Sequence, residues 1–188
     1  CLRSEDISAG FSMSGVTVTS DSNIAPDGAT TADLVTEDAT NAQHYADQGI
    51  TFSALTTYTL SAWIKRNGNS RNCYLMFYAA AGAESAIVLV DTLTGGIVSG
   101  PTLVGTTAGS ARVVSYPNGW FRVELTATMG AVAGVGAVRL GLASGTSLSY
   151  QGDNGSGIPY WGIQLEQAAF ASSYIPTTTA AVTRNADV

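Results

Sequence analysis

Charged side chains make up only 12% of this chain, about half the share usual in a globular protein. What charge there is leans negative: eight Lys plus Arg stand against fourteen Asp plus Glu, a formal net charge of -6. Such a chain repels phosphate backbones and anionic bilayer surfaces, so neither nucleic acid nor membrane is an expected partner. No apolar run approaches the roughly 20 residues that cross a bilayer. The opening CLRSEDISAG has no signal-peptide centre, and the chain reads as soluble and already trimmed. Two distant cysteines, Cys1 and Cys73, have neither metal spacing nor a disulfide framework. Cys73 is expected to be free and partly buried as a small hydrophobe, and Cys1 fits a lipid-modified start or a fragment boundary.

Catalytic signatures are equally scarce. His44 is the only histidine, it sits in the polar stretch NAQHYADQG, and it is expected at the surface or in a turn. G-x-S-x-G, H-E-x-x-H and C-x-x-C are absent. Glycoside hydrolysis needs two carboxylates facing across a cleft. Glu124 and Glu166 are the pair that strand parity places on one face, and they are read as hydrogen-bonding or structural groups, so no enzyme is expected. Acidic turns at Glu5, Asp6, Asp21, Asp153 and Asn154 offer oxygen ligands for a structural calcium ion. None has the twelve-residue loop pattern, and metal ligands cannot be assigned. The Met129 to Val138 stretch, MGAVAGVGAV, lacks dinucleotide-loop spacing and reads as a flexible strand connection.

Present throughout are short alternating segments rich in Val, Thr, Tyr and Ile, separated by Gly, Asn, Asp and Pro, the pattern of an all-β sandwich of two antiparallel sheets. The clearest strands are GVTVTS, ADLVTE, TYTLSAWIKR, NCYLMFYAA, SAIVLVD, GIVSG, ARVVSY, GWFRVELTAT, GAVRLGLAS and GIPYWGIQLEQ. Hairpin corners are expected at Pro26-Asp27-Gly28, Asn67-Gly68 and Gly95-Gly96. The module is assigned to residues 1–175, and residues 176–188 to an extension leading into further chain.

Alternation also sorts the strand faces. Tyr58, Leu60, Ala62 and Ile64 point to the core, leaving Thr59, Ser61, Trp63 and Lys65 outside. Phe121, Val123 and Leu125 point inward, leaving Trp120, Arg122, Glu124 and Thr126 outside. Leu75 and Phe77 suit the core, with Tyr74, Met76 and Tyr78 opposite. In the last strand Trp161, Ile163 and Leu165 form one face, and Tyr160, Gly162, Gln164 and Glu166 the other. Rings beside charged or amide groups suit sugars, whose apolar faces stack on aromatics while their hydroxyls hydrogen-bond.

The series RSEDIS, VTVTSDSNIAPDGATTADLVTEDATNAQH, TTYTLSAWIKRNG, NGWFRVELT and YWGIQLEQAAFASSYIPTTTAAVTRNAD resembles a module of phage and prophage virion proteins near tail-fibre or head-appendage regions. That module is similar in fold to jelly-roll carbohydrate-binding modules and to concanavalin-like, laminin-G-like or galactose-binding-like sandwiches. The resemblance spans essentially the whole chain. It implies a jelly-roll accessory domain on a virion surface or extracellular protein, without a reaction or a required cofactor. Its partners would be a polysaccharide or cell-surface glycan and neighbouring virion or parent-protein domains. Carried over by motif, the binding platform comprises Trp63, Lys65, Trp120, Arg122, Tyr160, Gln164 and Glu166, to which parity adds Tyr74. Jelly-roll binders often hold a calcium ion away from the sugar. The rival readings are a structural virion module that packs against protein and, more weakly, a small polysaccharide-degrading enzyme using Glu124 and Glu166.

Overall fold

A computed structural model describes residues 1–68, 71–79, 83–132 and 134–182. Its elements are α1 (Ile7–Gly10), β1 (Ser12–Ser14), β2 (Val16–Asn23), β3 (Ala32–Glu37), β4 (Asn41–Phe52), β5 (Thr57–Lys65), β6 (Asn72–Ala79) and β7 (Glu84–Asp91). They continue with β8 (Ile97–Val104), β9 (Thr107–Ser115), β10 (Trp120–Thr128), β11 (Gly134–Ala143), β12 (Ser149–Gln151) and β13 (Gly157–Glu166). One sheet runs β1-β4-β11-β6-β7-β8, with β12 also paired to β4, and the other runs β2-β3-β13-β5-β10-β9. Every pairing between these strands is antiparallel. The chain crosses repeatedly between sheets, and the result is the jelly-roll sandwich.

Period-two alternation builds the interior. Leu60, Ala62 and Ile64 of β5, Leu75 and Phe77 of β6, Val123 and Leu125 of β10, and Leu140 and Leu142 of β11 meet in one core. At roughly 1.5–3 kcal/mol per fully buried large apolar side chain, this layer is the main stabilising term. Tyr160 crosses it from β13 and donates a hydrogen bond to the Gly141 carbonyl of β11 (2.7 Å), joining the two sheets. Cys73 is free, as expected, and fully buried rather than partly. Burial pushes its thiol pKa up to about 12.

Three expectations need correction. The polar stretch around His44 is the longest strand, β4, with Ala46 and Phe52 facing the core. His44 is therefore buried, its Nδ1 2.7 Å from the Gly15 carbonyl and its Nε2 3.2 Å from that of Tyr150. The small-residue stretch after Met129 is not a free connection, because Gly134 to Val138 pair with β4 as part of β11. Finally, β13 does not keep one parity. Its register with β5 shifts between Trp161 and Gln164, so Gly162 and Ile163 together oppose Ala62 and the strand bulges. Before the bulge Ile158 and Tyr160 enter the core and Trp161 points out; after it Ile163 and Leu165 point in. Residues 183–188 of the expected extension, Ala80 of NCYLMFYAA and Ala133 of MGAVAGVGAV lie outside the described residues.

Candidate functional site

The outer face of the six-stranded sheet carries most of the side chains that parity placed there, with Trp161 in addition and without Tyr160. Cross-strand pairing aligns Trp161, Trp63, Arg122 and Val114 in one row, and Gln164, Ser61, Glu124 and Arg112 in the next. Trp63, Trp120 and Trp161 form a cluster with Ala25 and Ala32, separate from the main core. The Trp161 and Tyr174 centroids are 4.5 Å apart, and Trp63 sits 5.2 Å from Trp161 and 5.6 Å from Tyr174.

This face is not open. The segment after β13, residues 167–178, folds back over it as a strap, and the polar side chains of the face bind the strap's backbone. Arg122 Nη2 donates to the Ser172 carbonyl (2.7 Å), the Ile175 amide donates to Gln164 Oε1 (2.9 Å), and Thr59 Oγ1 donates to the Ala168 carbonyl (2.9 Å). Glu166 accepts from both the Ser172 amide and its hydroxyl. Tyr174 caps the tryptophans, its hydroxyl bonded to Ser4 Oγ (2.6 Å) and donating to Glu5 (2.7 Å). The loop before β3 closes the other side, where Trp120 Nε1 donates to the Ile24 carbonyl (3.2 Å) and Trp161 Nε1 to Thr31 Oγ1 (2.9 Å).

The expected platform is corrected accordingly. Trp63, Trp120, Arg122 and Gln164 lie on the predicted face but are buried, because the strap and the Ile24 to Thr31 loop cover them. Tyr160 belongs to the main core, since the bulge reverses its side. Tyr74 is on the other sheet and fully buried, packed among Leu89, Ala143, Tyr45, Met76 and Leu148. Lys65 and Glu166 keep partial exposure, with Lys65 Nζ 5.9 Å from the Trp120 ring. Glu124 faces Arg122 (3.8 Å) and Arg112 (3.9 Å), so it and Glu166 both have structural partners.

The seven-stranded sheet presents a different outer face. Ala46, Phe77 and Leu140 point into the core, so their neighbours Tyr45, Asp47, Met76, Tyr78 and Arg139 point away from it, and all five remain partly exposed. Arg139 organises them. Its guanidinium carbon lies 3.5 Å from the Tyr45 ring centroid and 5.1 Å from that of Tyr78. Its Nη2 pairs with Asp47 (3.0 Å) and its Nη1 donates to Gln43 Oε1 (3.2 Å). Two buried polar atoms beneath, Arg139 Nε and Tyr74 Oη, have no hydrogen-bond partner among the described residues. The side chains that matter here were within reach of the alternation rule: Arg139 is the one charge in GAVRLGLAS, and Tyr45 and Asp47 alternate with Ala46.

Among the described residues, the acidic turns do not form a metal-holding group. Asp6 accepts from the Ala9 amide at the start of α1. Asp153 accepts from Gly155 and Ser156. Glu5, Asp6, Asp21 and Asp33 share the lining of a cleft of about 460 Å³, where burial raises the Asp33 pKa against the opposing hydrogen bonds from Asp21 and Ile7. No group of three or more His, Cys, Asp or Glu among the described residues is arranged to hold a metal ion. No helix among them is long and apolar enough to cross a membrane.

No family model and no curated protein matches the chain. Among solved structures it is similar to the enzymatically active domain of bacteriophage CBA120 tailspike protein 4, at 15% identity and a TM-score of 0.47, over 87% of this chain and 20% of that one. It is also similar to the CBM22-1 xylan-binding domain of Paenibacillus barcinonensis Xyn10C, at 13% identity and a TM-score of 0.46, over 87% of this chain and 89% of that one. The chain thus spans about a fifth of the tailspike chain it matches.

Proposed function

We propose that the chain is a non-catalytic carbohydrate-binding module of a phage or prophage virion surface protein or another extracellular protein, and that it binds glycans on the outer face of the seven-stranded sheet. The observation that carries this reading is the group of Tyr45 and Tyr78 rings gathered on one guanidinium, beside Asp47 and Gln43, all of them partly exposed. A ring held in place by Arg139 loses little freedom when a sugar stacks on it, and each such contact contributes on the order of 1 kcal/mol. Side-chain oxygens and amides at the rim suit hydroxyl groups. The affinity of one copy is expected to be weak, and many copies on one particle raise it through avidity. The motif series supports the virion setting. The occupied state of Glu124 and Glu166 supports a binding rather than a hydrolytic role.

Affinity electrophoresis against a polysaccharide panel tests the proposal. Tyr45→Ala and Tyr78→Ala should each weaken binding about tenfold while retaining the wild-type fold by circular dichroism, as both positions are only partly buried. Unchanged binding in both variants removes this face. Absence of binding to every glycan favours the packing module instead, a reading to which exposed Leu55, Val132 and Val135 give some support. Release of new reducing ends that stops in Glu166→Gln would establish the enzyme.

A further inference from the structure

The chemistry around Arg139 also bears on which glycans this face accepts, an inference that rests on the glycan-binding reading. An arginine that recognises carboxylate, sulfate or phosphate presents an open fork of parallel N–H groups. Arg139 does not. Its Nη2 is engaged by Asp47 (3.0 Å) and its Nη1 by Gln43 (3.2 Å), its guanidinium carbon lies over the Tyr45 and Tyr78 rings, and its side chain is only 14% exposed. Asp47 also neutralises its charge at contact range. At the end of β7, Asp91 accepts from the Leu93 amide and Thr94 hydroxyl, and its pKa is held down mainly by the Leu93 bond, with a lesser contribution from the Arg66 charge. An anionic polymer would therefore find the central guanidinium already paired with Asp47, on a chain whose net charge is -6, and would be repelled at longer range as well.

We infer that the face selects uncharged glycans and that Asp47 is the residue that enforces the selection by keeping Arg139 engaged. Uronate, sialate and sulfate polymers are rejected because the Arg139 fork is not free to receive them.

The test is titration calorimetry of the whole chain against matched neutral and polyuronate polysaccharides, at low and high salt. The wild-type protein should bind a neutral polymer with an affinity that barely changes with salt, and the polyuronate at least tenfold more weakly. Asp47→Asn should gain polyuronate affinity that falls as salt rises, because the freed guanidinium then acts as a screened charge. Wild-type binding of polyuronate as tight as that of the neutral polymer overturns the selectivity while leaving glycan binding intact. An Asp47→Asn protein with wild-type circular dichroism that still ignores polyuronate removes Asp47 from the role. Failure of the wild-type chain to bind either polymer overturns the glycan-binding reading itself and this inference with it. The wild-type comparison and its salt dependence stand even if the variant does not fold.

Discussion

Gly162 decides which way two aromatic rings point. Its φ of +62° is left-handed, a conformation that costs a residue with a Cβ roughly 1–2 kcal/mol, and it sits in the bulge that sends Tyr160 inward and Trp161 outward. An added Cβ would also lie 2.8 Å from Trp63 Cε3. Gly162→Ala is expected to cost about 2–4 kcal/mol, strain and crowding together, seen as a lower urea midpoint with the same slope. Asp153 gives a pH-dependent case. The hydroxyl and amide of Ser156, with lesser help from Gly155 and Arg71, hold its carboxyl at about 2 against an ordinary 3.8. A lowered carboxylate pKa stabilises the fold above the unfolded value and loses that contribution as pH falls through the folded one. Wild type should therefore exceed Asp153→Asn in thermal midpoint at pH 5, with the gap closing toward pH 2.

At the scale of elements, the strap explains why a face composed like a sugar platform is shut. Its hold is polar at the backbone and aromatic at Tyr174, so the two contributions separate by substitution. Tyr174→Phe keeps the ring and loses the hydroxyl's bonds to Ser4 and Glu5, for an expected loss of about 1 kcal/mol. Tyr174→Ala also uncovers Trp63 and Trp161 and should cost about 3 kcal/mol, measured by chemical denaturation. The same elements mark what sequence could convey. Alternation in β5 and β10 placed Trp63, Trp120 and Arg122 on the correct side, because side-chain direction in a regular strand depends only on the period. Their burial could not be read that way, since it depends on residues 167–178, which have no periodic pattern. Bulge and strand β4 escaped for related reasons: one glycine breaks the count, and the buried polar residues His44 and Gln48 hide the inward face of β4 behind a hydrophilic composition.

For the whole molecule, the jelly-roll architecture was legible from short alternating segments and turn residues, whereas the division of labour between the two outer faces was not. One sheet turns its tryptophans toward its own chain, and the other keeps tyrosines at the surface. On the proposed reading, glycan binding and stability fall on opposite sides. Trp63→Ala is expected to lower stability by about 3–5 kcal/mol, whereas Tyr45→Ala, at a partly exposed position, should cost less and, on the proposed reading, act on glycan affinity. Tryptophan is, moreover, confined to one site: all three indoles of the chain belong to the cluster under the strap. Intrinsic emission excited at long wavelength therefore reports on that seal alone. It should redden when the strap lifts and stay constant if, as proposed, ligand binds on the tyrosine side, so the two events are optically separable without any added label.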